Sequence, residues 1–201
     1  MNKDLEKLKN ILSEISYSGD QHDHILIKED DRLASLRSVT LNMGNKSKNW
    51  FAFSPDKILH KNKQKNNRHL IGISPLLTLN KSIKHGKDES TESHHNETCD
   101  CVVFLLESNQ LKLIFIELKS SLIGNNQKAI NQIKSTEQFS KYLLGLASTF
   151  YQVNFKTSHH HVVFHNTHVR KTRTVPKNIT NQLLKTIQIS NSGTVFLKQI
   201  I

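Results

Sequence analysis

The sequence predicts an α/β fold in which helices flank a mixed central β-sheet. Two apolar runs joined by a short polar turn occupy residues 99–121 and predict a β-hairpin. Apolar residues at helical intervals follow at 126–150, and residues 157–166 centre on a Val-Val-Phe run that predicts a third strand. A hairpin, a helix and a further strand in this order are typical of a sheet covered by helices.

The hairpin is predicted to be buried on both faces. Residues 102–106 and 113–116 are mostly β-branched or aromatic, and neither run alternates between apolar and polar side chains. Strands with such uninterrupted apolar runs are typical of a sheet that is covered on both sides. We therefore expect this hairpin in the interior of the protein.

The elements before the hairpin are shorter and more polar. Apolar residues at helical spacing predict an amphipathic helix over 4–16, and the charge-dense stretch 20–31 predicts a loop or a short edge segment. Residues 33–53 combine a short apolar piece with three aromatic residues, which we expect in the core, with stacking on bases as the alternative. A strand edge or turn is expected at 70–79, and an exposed loop at 81–98.

Two elements are predicted after the third strand. Residues 178–187 predict a short helix, and residues 194–201 predict a closing strand at an edge of the sheet. The fold is thus expected to alternate helices and strands through to its end.

Length and composition indicate one domain. The chain has 201 residues and only 36% hydrophobic residues, and this deficit is concentrated before Cys99. A chain of this length is able to bury a core of ordinary size. We therefore expect a single domain over 1–201, with a looser part at 1–98 and the hairpin-helix-strand core at 99–165.

The charge balance indicates a polyanionic partner. Lys and Arg number 28 against 17 Asp and Glu, which gives a net charge of +11. An excess of this size suits nucleic acid, with a bias toward Lys and Asn in the composition as the alternative. No apolar run is long enough to cross a membrane, and the two cysteines are expected as reduced, buried thiols. We expect a soluble, cytoplasmic protein with no membrane partner.

The hairpin brings two acidic residues together at one end. If Ser108 and Asn109 form a two-residue turn, Asp100 lies opposite Glu117, with Lys119 on the same face. Directly opposed side chains have Cβ atoms about 4.5–5.5 Å apart. Two carboxylates this close repel unless one is protonated or a cation lies between them, and a divalent ion with oxygen ligands meets that need. A salt-bridged hairpin end, with Lys119 neutralising one acid, is the alternative.

These residues resemble a known family. An Asp at the head of one strand, a Glu-Leu-Lys at the end of the next and a following helix resemble the PD-(D/E)xK nuclease superfamily, which has the restriction-endonuclease-like fold. The Pro of the motif is replaced by Cys99. Residues 138–142 are similar to the Q-x-x-x-Y element that some members carry on the helix, and Gln132 is the competing candidate for the glutamine. The resemblance covers about residues 99–165.

The resemblance implies a magnesium-dependent endonuclease. Asp100, Glu117 and the backbone carbonyl of Leu118 would hold Mg²⁺ or Mn²⁺, and Lys119 would position or deprotonate the attacking water. Gln132 would orient water or support the surroundings of Glu117. In members of this superfamily a first helix sometimes offers a further acidic ligand, for which Glu6 or Glu14 would serve.

Basic residues outside this site are the candidates for contacts with phosphates. They are Lys128 on the long helix and a cationic patch that follows the third strand, formed by Arg170, Lys171 and Arg173. Such contacts bind the backbone without reading the sequence of bases. The residues thus complete a predicted nucleic-acid surface around the hairpin end.

The function expected from these features is hydrolysis of phosphodiester bonds, with DNA as the preferred substrate. Small members of the family usually act as homodimers or beside companion subunits, in restriction, repair, transposition or phage defence. Two alternatives remain: a non-catalytic nucleic-acid-binding module with the same fold, and a small subunit whose basic face binds an acidic partner protein.

Overall fold

Five strands form a mixed central sheet. The computed structural model describes residues 1–12, 23–29, 33–44, 49–55, 98–122, 125–166, 184–190 and 192–201. In sheet order the central strands are β3 (Trp50–Phe53), β4 (Cys101–Glu107), β5 (Gln110–Lys119), β6 (Lys156–Asn166) and β7 (Leu184–Ile189). Strands β3, β4 and β5 pair antiparallel, whereas β5, β6 and β7 pair parallel. The predicted α/β class with a mixed central sheet is confirmed.

The hairpin has the predicted register. Ser108 and Asn109 form its turn with φ angles of 50° and 62°, so both residues have the left-handed conformation of a type I′ turn. Glu107 therefore pairs with Gln110, and the ladder continues to Cys101 opposite Ile116. All residues from Cys101 to Leu106 are buried, which confirms that the hairpin is covered on both faces.

Two helices cover one face of the central sheet. Helix α1 spans Lys3–Ile11, and helix α2 spans Asn126–Tyr151 and connects β5 to the parallel strand β6. Helix α2 confirms the predicted helix at 126–150. The helices bury apolar side chains such as Leu8 and Ile133 against the sheet. Helix α1 ends before residue 16 because the chain turns at Leu12.

A second sheet covers the opposite face. It contains β1 (His24–Lys28), β2 (Ser38–Asn42) and β8 (Ser192–Phe196) in the order β1-β2-β8. Strand β2 pairs antiparallel with β1 and parallel with β8. The expectation that helices flank the sheet is therefore correct for one face only, because the apolar residues of β1, β2 and β8 pack on the other face.

Most of the remaining predictions hold. The edge segment predicted at 20–31 is β1, the piece at 33–53 contains β2 and β3, and the third strand is β6. Phe51 and Phe53 are buried and their rings pack around Phe104, so they belong to the core and are not available to stack on bases. The cysteines are free and buried.

The predictions near the carboxyl end need correction. The helix predicted over 178–187 is wrong for its described part, because Leu184–Ile189 is strand β7 and pairs parallel with β6. The closing strand predicted over 194–201 is β8, an edge strand as expected, but it ends at Phe196 and a short 3-10 helix follows at Leu197–Gln199. The predicted segments at 70–79 and 81–97 lie outside the described residues.

Candidate active site

Asp100 lies where the chain bends into β4. One carboxylate oxygen, Oδ2, accepts a hydrogen bond from the backbone N–H of Leu118 at 2.6 Å. Because of the bend, Cys99 packs on the helix side of the sheet and Cys101 on the opposite side. The side chain of Asp100 is thereby turned toward the end of β5, near Glu117, although the ladder itself ends one residue earlier, at Cys101 opposite Ile116.

Glu117 is a buried carboxylate with one oxygen unpartnered. Its side chain is 2% exposed, and Oε1 contacts the ammonium of Lys119, two residues along the same face of β5. The other oxygen, Oε2, is buried and has no hydrogen-bond partner in the described part of the chain. Buried carboxylate oxygens are costly unless a hydrogen bond, a proton or a cation satisfies them. This oxygen is therefore the clearest unsatisfied group at the site.

Helix α2 supplies the partner that fixes Lys119. Gln132 accepts a hydrogen bond from the Lys119 ammonium through Oε1 at 2.7 Å. Through Nε2, Gln132 donates to the backbone carbonyl of Thr98 at 3.0 Å, two residues before Asp100. Gln132 thus links the segment just before β4 to the last residue of β5. Residues 138 and 142, the alternative glutamine element, are exposed on α2.

A buried threonine on α2 holds the same segment. The hydroxyl of Thr136 accepts a hydrogen bond from the backbone N–H of Cys99 at 2.9 Å and donates to the carbonyl of Gln132 at 2.9 Å. Thr136 is fully buried. The residue that precedes Asp100 is therefore anchored to the helix that carries Gln132.

The two acids are electrostatically perturbed by burial and by each other. Burial and the charge of Glu117 raise the pKa of Asp100 well above its usual range, although the N–H of Leu118 and the charge of Lys119 oppose the shift. Burial raises the pKa of Glu117 to about 7 against the opposing effects of Lys119 and of the backbone N–H of Asp100. Both acids are thus poorly stabilised as anions by protein groups alone, which is the condition under which a cation binds favourably.

A third acidic residue, Glu29, lies near the pair and was not identified from the sequence. Its charge raises the pKa of both Asp100 and Glu117. Glu29 follows β1, and its backbone N–H donates to the carbonyl of Arg37. The segment after it is bound to the ends of the central strands, because Ser35 contacts Ser120 and the side chain of Asn166 donates to Ser35. Only the packing of the second sheet brings Glu29 to this end of the central sheet.

The residues fit a hard divalent cation bound largely through water and substrate. In a strand, the N–H and C=O of one residue point to the same side, so the carbonyl of Leu118 points toward Asp100, as its N–H does. Two carboxylates and one carbonyl match the oxygen ligands that Mg²⁺ uses while it retains several waters. Within the described ranges, no three His, Cys, Asp or Glu side chains form a complete metal cluster. The fit therefore rests on the unpartnered oxygen of Glu117 and the chemistry of the donors.

The other predicted residues are placed as follows. Lys128 is exposed on α2, one helical turn before Gln132, and Glu6 is exposed on α1. Arg170, Lys171, Arg173 and Glu14 lie outside the described residues.

Comparisons with family models, with curated proteins and with solved structures found no match. Among the described helices, none is both long enough and apolar enough to cross a membrane. The function of the protein must therefore be inferred from the geometry of the site.

Proposed function

We propose that this protein is a metal-dependent nuclease that hydrolyses phosphodiester bonds of nucleic acid, with DNA as the preferred substrate. The observation that supports it best is the buried, unpartnered Oε2 of Glu117 beside the carboxylate of Asp100. A plain salt bridge with Lys119 accounts for the other oxygen of Glu117 and leaves this one unexplained. The proposal agrees with the resemblance to PD-(D/E)xK nucleases.

Asp100, Glu117 and the carbonyl of Leu118 would hold Mg²⁺ or Mn²⁺. When bound there, the ion would lower the pKa of a water molecule and stabilise negative charge on the phosphate. The two protein carboxylates would neutralise the charge of the ion. Gln132 and Thr136 keep the carboxylates in place by fixing residues 98 and 99.

Lys119 supplies a positioned cation. An ammonium has three N–H donors, and in the described contacts of Lys119 two of them bind Glu117 and Gln132. The third would bind the attacking water or an oxygen of the phosphate. Because Lys119 is only 13% exposed, its charge acts on the substrate with little screening by solvent. In this mechanism Lys119 positions the water and stabilises the charge that develops on phosphorus.

Binding of the substrate depends on charges outside the site. The net charge of +11 favours a polyanion, and Lys128 is exposed on the helix turn next to Gln132. Contacts between basic side chains and phosphates release counterions, so binding weakens as the salt concentration rises.

The proposal is tested by cleavage of plasmid and single-stranded DNA in the presence of Mg²⁺ or Mn²⁺. The hairpin offers a matched control, because Lys112 pairs with Glu107 at 2.7 Å at its opposite end. We expect Lys119→Ala to lower the rate of cleavage by about 10²–10³-fold, as loss of one preorganised charge does, and Lys112→Ala to retain the rate of the wild type. If wild type and Lys119→Ala cleave DNA at the same trace rate, the site is not catalytic.

A further inference from the structure

A histidine, His165, lies beside Lys119 on the neighbouring strand β6. In the parallel ladder between β5 and β6, His165 pairs with Lys119, and Val163 pairs with Glu117. Val163 packs on the helix side of the sheet, and Phe164 on the opposite side. Since side chains alternate along a strand, His165 projects on the helix side, the side that carries Glu117 and Lys119.

The ring of His165 is oriented by its own backbone. Its Nδ1 lies 3.3 Å from the carbonyl oxygen of Asn166. A carbonyl accepts a hydrogen there, so this contact assigns a proton to Nδ1 and directs the other nitrogen, Nε2, away from the backbone. His165 is neither fully buried nor fully exposed. Its Nε2 is therefore the ring nitrogen that does not face this carbonyl, on a half-buried side chain in the position opposite Lys119.

The order of strands places His165 and Asp100 on opposite sides of β5. Asp100 lies at the start of β4, Lys119 ends β5 and His165 lies on β6. Neighbouring strands are about 4.8 Å apart. The Lys119 ammonium bonds Glu117 and Gln132. On the helix side of the sheet, the position next to Lys119 on β6 is therefore occupied by His165. A phosphorus atom above the end of β5 would have the carboxylate of Asp100 on one side and the imidazole of His165 on the other, with Glu117 on β5 itself.

We propose that His165 is a catalytic residue that protonates the leaving oxygen. This inference rests on the proposed function. The oxygen of the attacking water forms a bond to phosphorus, and its proton passes to solvent. The bond between phosphorus and the leaving oxygen breaks with its electron pair remaining on that oxygen. The imidazolium of His165 transfers its Nε2 proton there, which yields an alcohol and a neutral imidazole that regains a proton from solvent. In-line displacement needs the attacking and leaving oxygens on opposite sides of phosphorus, as this arrangement provides.

The test compares two substrates that differ in the leaving group. An oligonucleotide releases an alkoxide, which needs a proton, whereas bis(p-nitrophenyl) phosphate releases p-nitrophenolate, which does not. We expect His165→Ala to lower kcat for the oligonucleotide by about 10²-fold or more, in the range of general acid catalysis. The same variant should leave cleavage of bis(p-nitrophenyl) phosphate within about threefold of wild type, since the other catalytic groups are intact.

Two further variants separate chemistry from structure. His165→Asn keeps a side-chain donor near the carbonyl of Asn166 but carries no transferable proton, and it should reproduce the selective loss. His159→Ala changes the same face of β6 about 20 Å away, six residues along the strand, and should show no dependence on the leaving group. Equal losses on both substrates, or no loss on the oligonucleotide, overturn the assignment of His165. If the wild type cleaves neither substrate, the proposed function itself has failed and the inference fails with it.

Discussion

At the scale of single residues, the candidate site depends on a few side chains that fix a pair of buried acids. Gln132 and Thr136 lie one helical turn apart on α2 and bind two successive residues, Thr98 and Cys99, ahead of Asp100. Neither side chain contacts Asp100 in the described contacts. Their role is to position the backbone from which its carboxylate projects.

Thr136 gives a sharp test of this positioning. Thr136→Val keeps the shape of the side chain but removes the acceptor for the buried N–H of Cys99, which costs about 1–3 kcal/mol in stability. We expect the affinity for Mn²⁺ to fall by roughly 10-fold, as for other groups that orient metal ligands, and Thr136→Ser to restore it. Titration calorimetry with the metal measures this directly.

Ser140 provides the control for that experiment. It is also fully buried on α2, one turn further along, and its hydroxyl donates only to the carbonyl of Thr136 in the described contacts. Ser140→Ala should leave the affinity for Mn²⁺ unchanged. If Ser140→Ala and Thr136→Val weaken metal binding equally, Thr136 contributes to general stability and not to the position of Asp100.

The residues of the site differ in how far the sequence predicts them. The approach of Asp100 to Glu117 was predictable because a two-residue turn fixes every pair of the hairpin, and Ser108 and Asn109 do adopt its left-handed conformation. The contact between Lys119 and Gln132 was predictable only as one of two candidates. Glu29 was not predictable, because its approach depends on how the second sheet packs.

At the scale of elements, a cluster of charged side chains joins α2 to β6. The carboxylate of Glu137 on α2 lies 2.9 Å from Nδ1 of His159 and 3.0 Å from Nε2 of His161. Nζ of Lys141 lies 2.8 Å from the same carboxylate. Both histidine rings pack edge-on against Phe115 of β5. Residues 159–161 are three consecutive histidines, and two of them, His159 and His161, thus have a structural role.

This cluster predicts a dependence of stability on pH. Burial favours the neutral acid, but hydrogen bonds from Lys141 and His159 outweigh it and hold the pKa of Glu137 below its usual value. A lowered pKa in the folded state gives stability that is present above the usual value, about 4.3 for glutamate, and is lost as the pH falls through the folded value. Glu137→Gln should therefore melt several degrees below wild type at pH 7, and the difference should shrink below pH 4. Melting curves across this range check it, and a constant difference would contradict it.

The errors at the scale of elements have a physical origin in long-range pairing. In residues 184–189, Leu184 and Ile187 are three residues apart, as on one side of a helix, whereas Ile187 and Ile189 are two apart, as on one face of a strand. The backbone pairing with β6 stabilises this segment as a strand. Strand β8 likewise pairs with β2, which lies about 150 residues away in the chain. Local patterns carry no information about such partners.

At the scale of the whole molecule, two layers converge on one end of the central sheet. Helix α2 supplies Gln132 from one face, and the sheet of β1, β2 and β8 places Glu29 near the acids from the other. The mixed sheet and the covered hairpin were predicted from the sequence, whereas the second sheet was not. The proposal of a nuclease thus rests on a site at which both layers meet.

The most direct measurement is binding of Mn²⁺ to the protein without nucleic acid, by titration calorimetry. We predict saturable binding of one ion to the wild type, and a loss of affinity of at least about 100-fold in Asp100→Asn, because groups that only orient metal ligands already contribute up to that much. Glu107→Gln, at the opposite end of the hairpin, should bind as the wild type does. Equal affinities in wild type and Asp100→Asn, or no binding to the wild type, would contradict the proposed metal site.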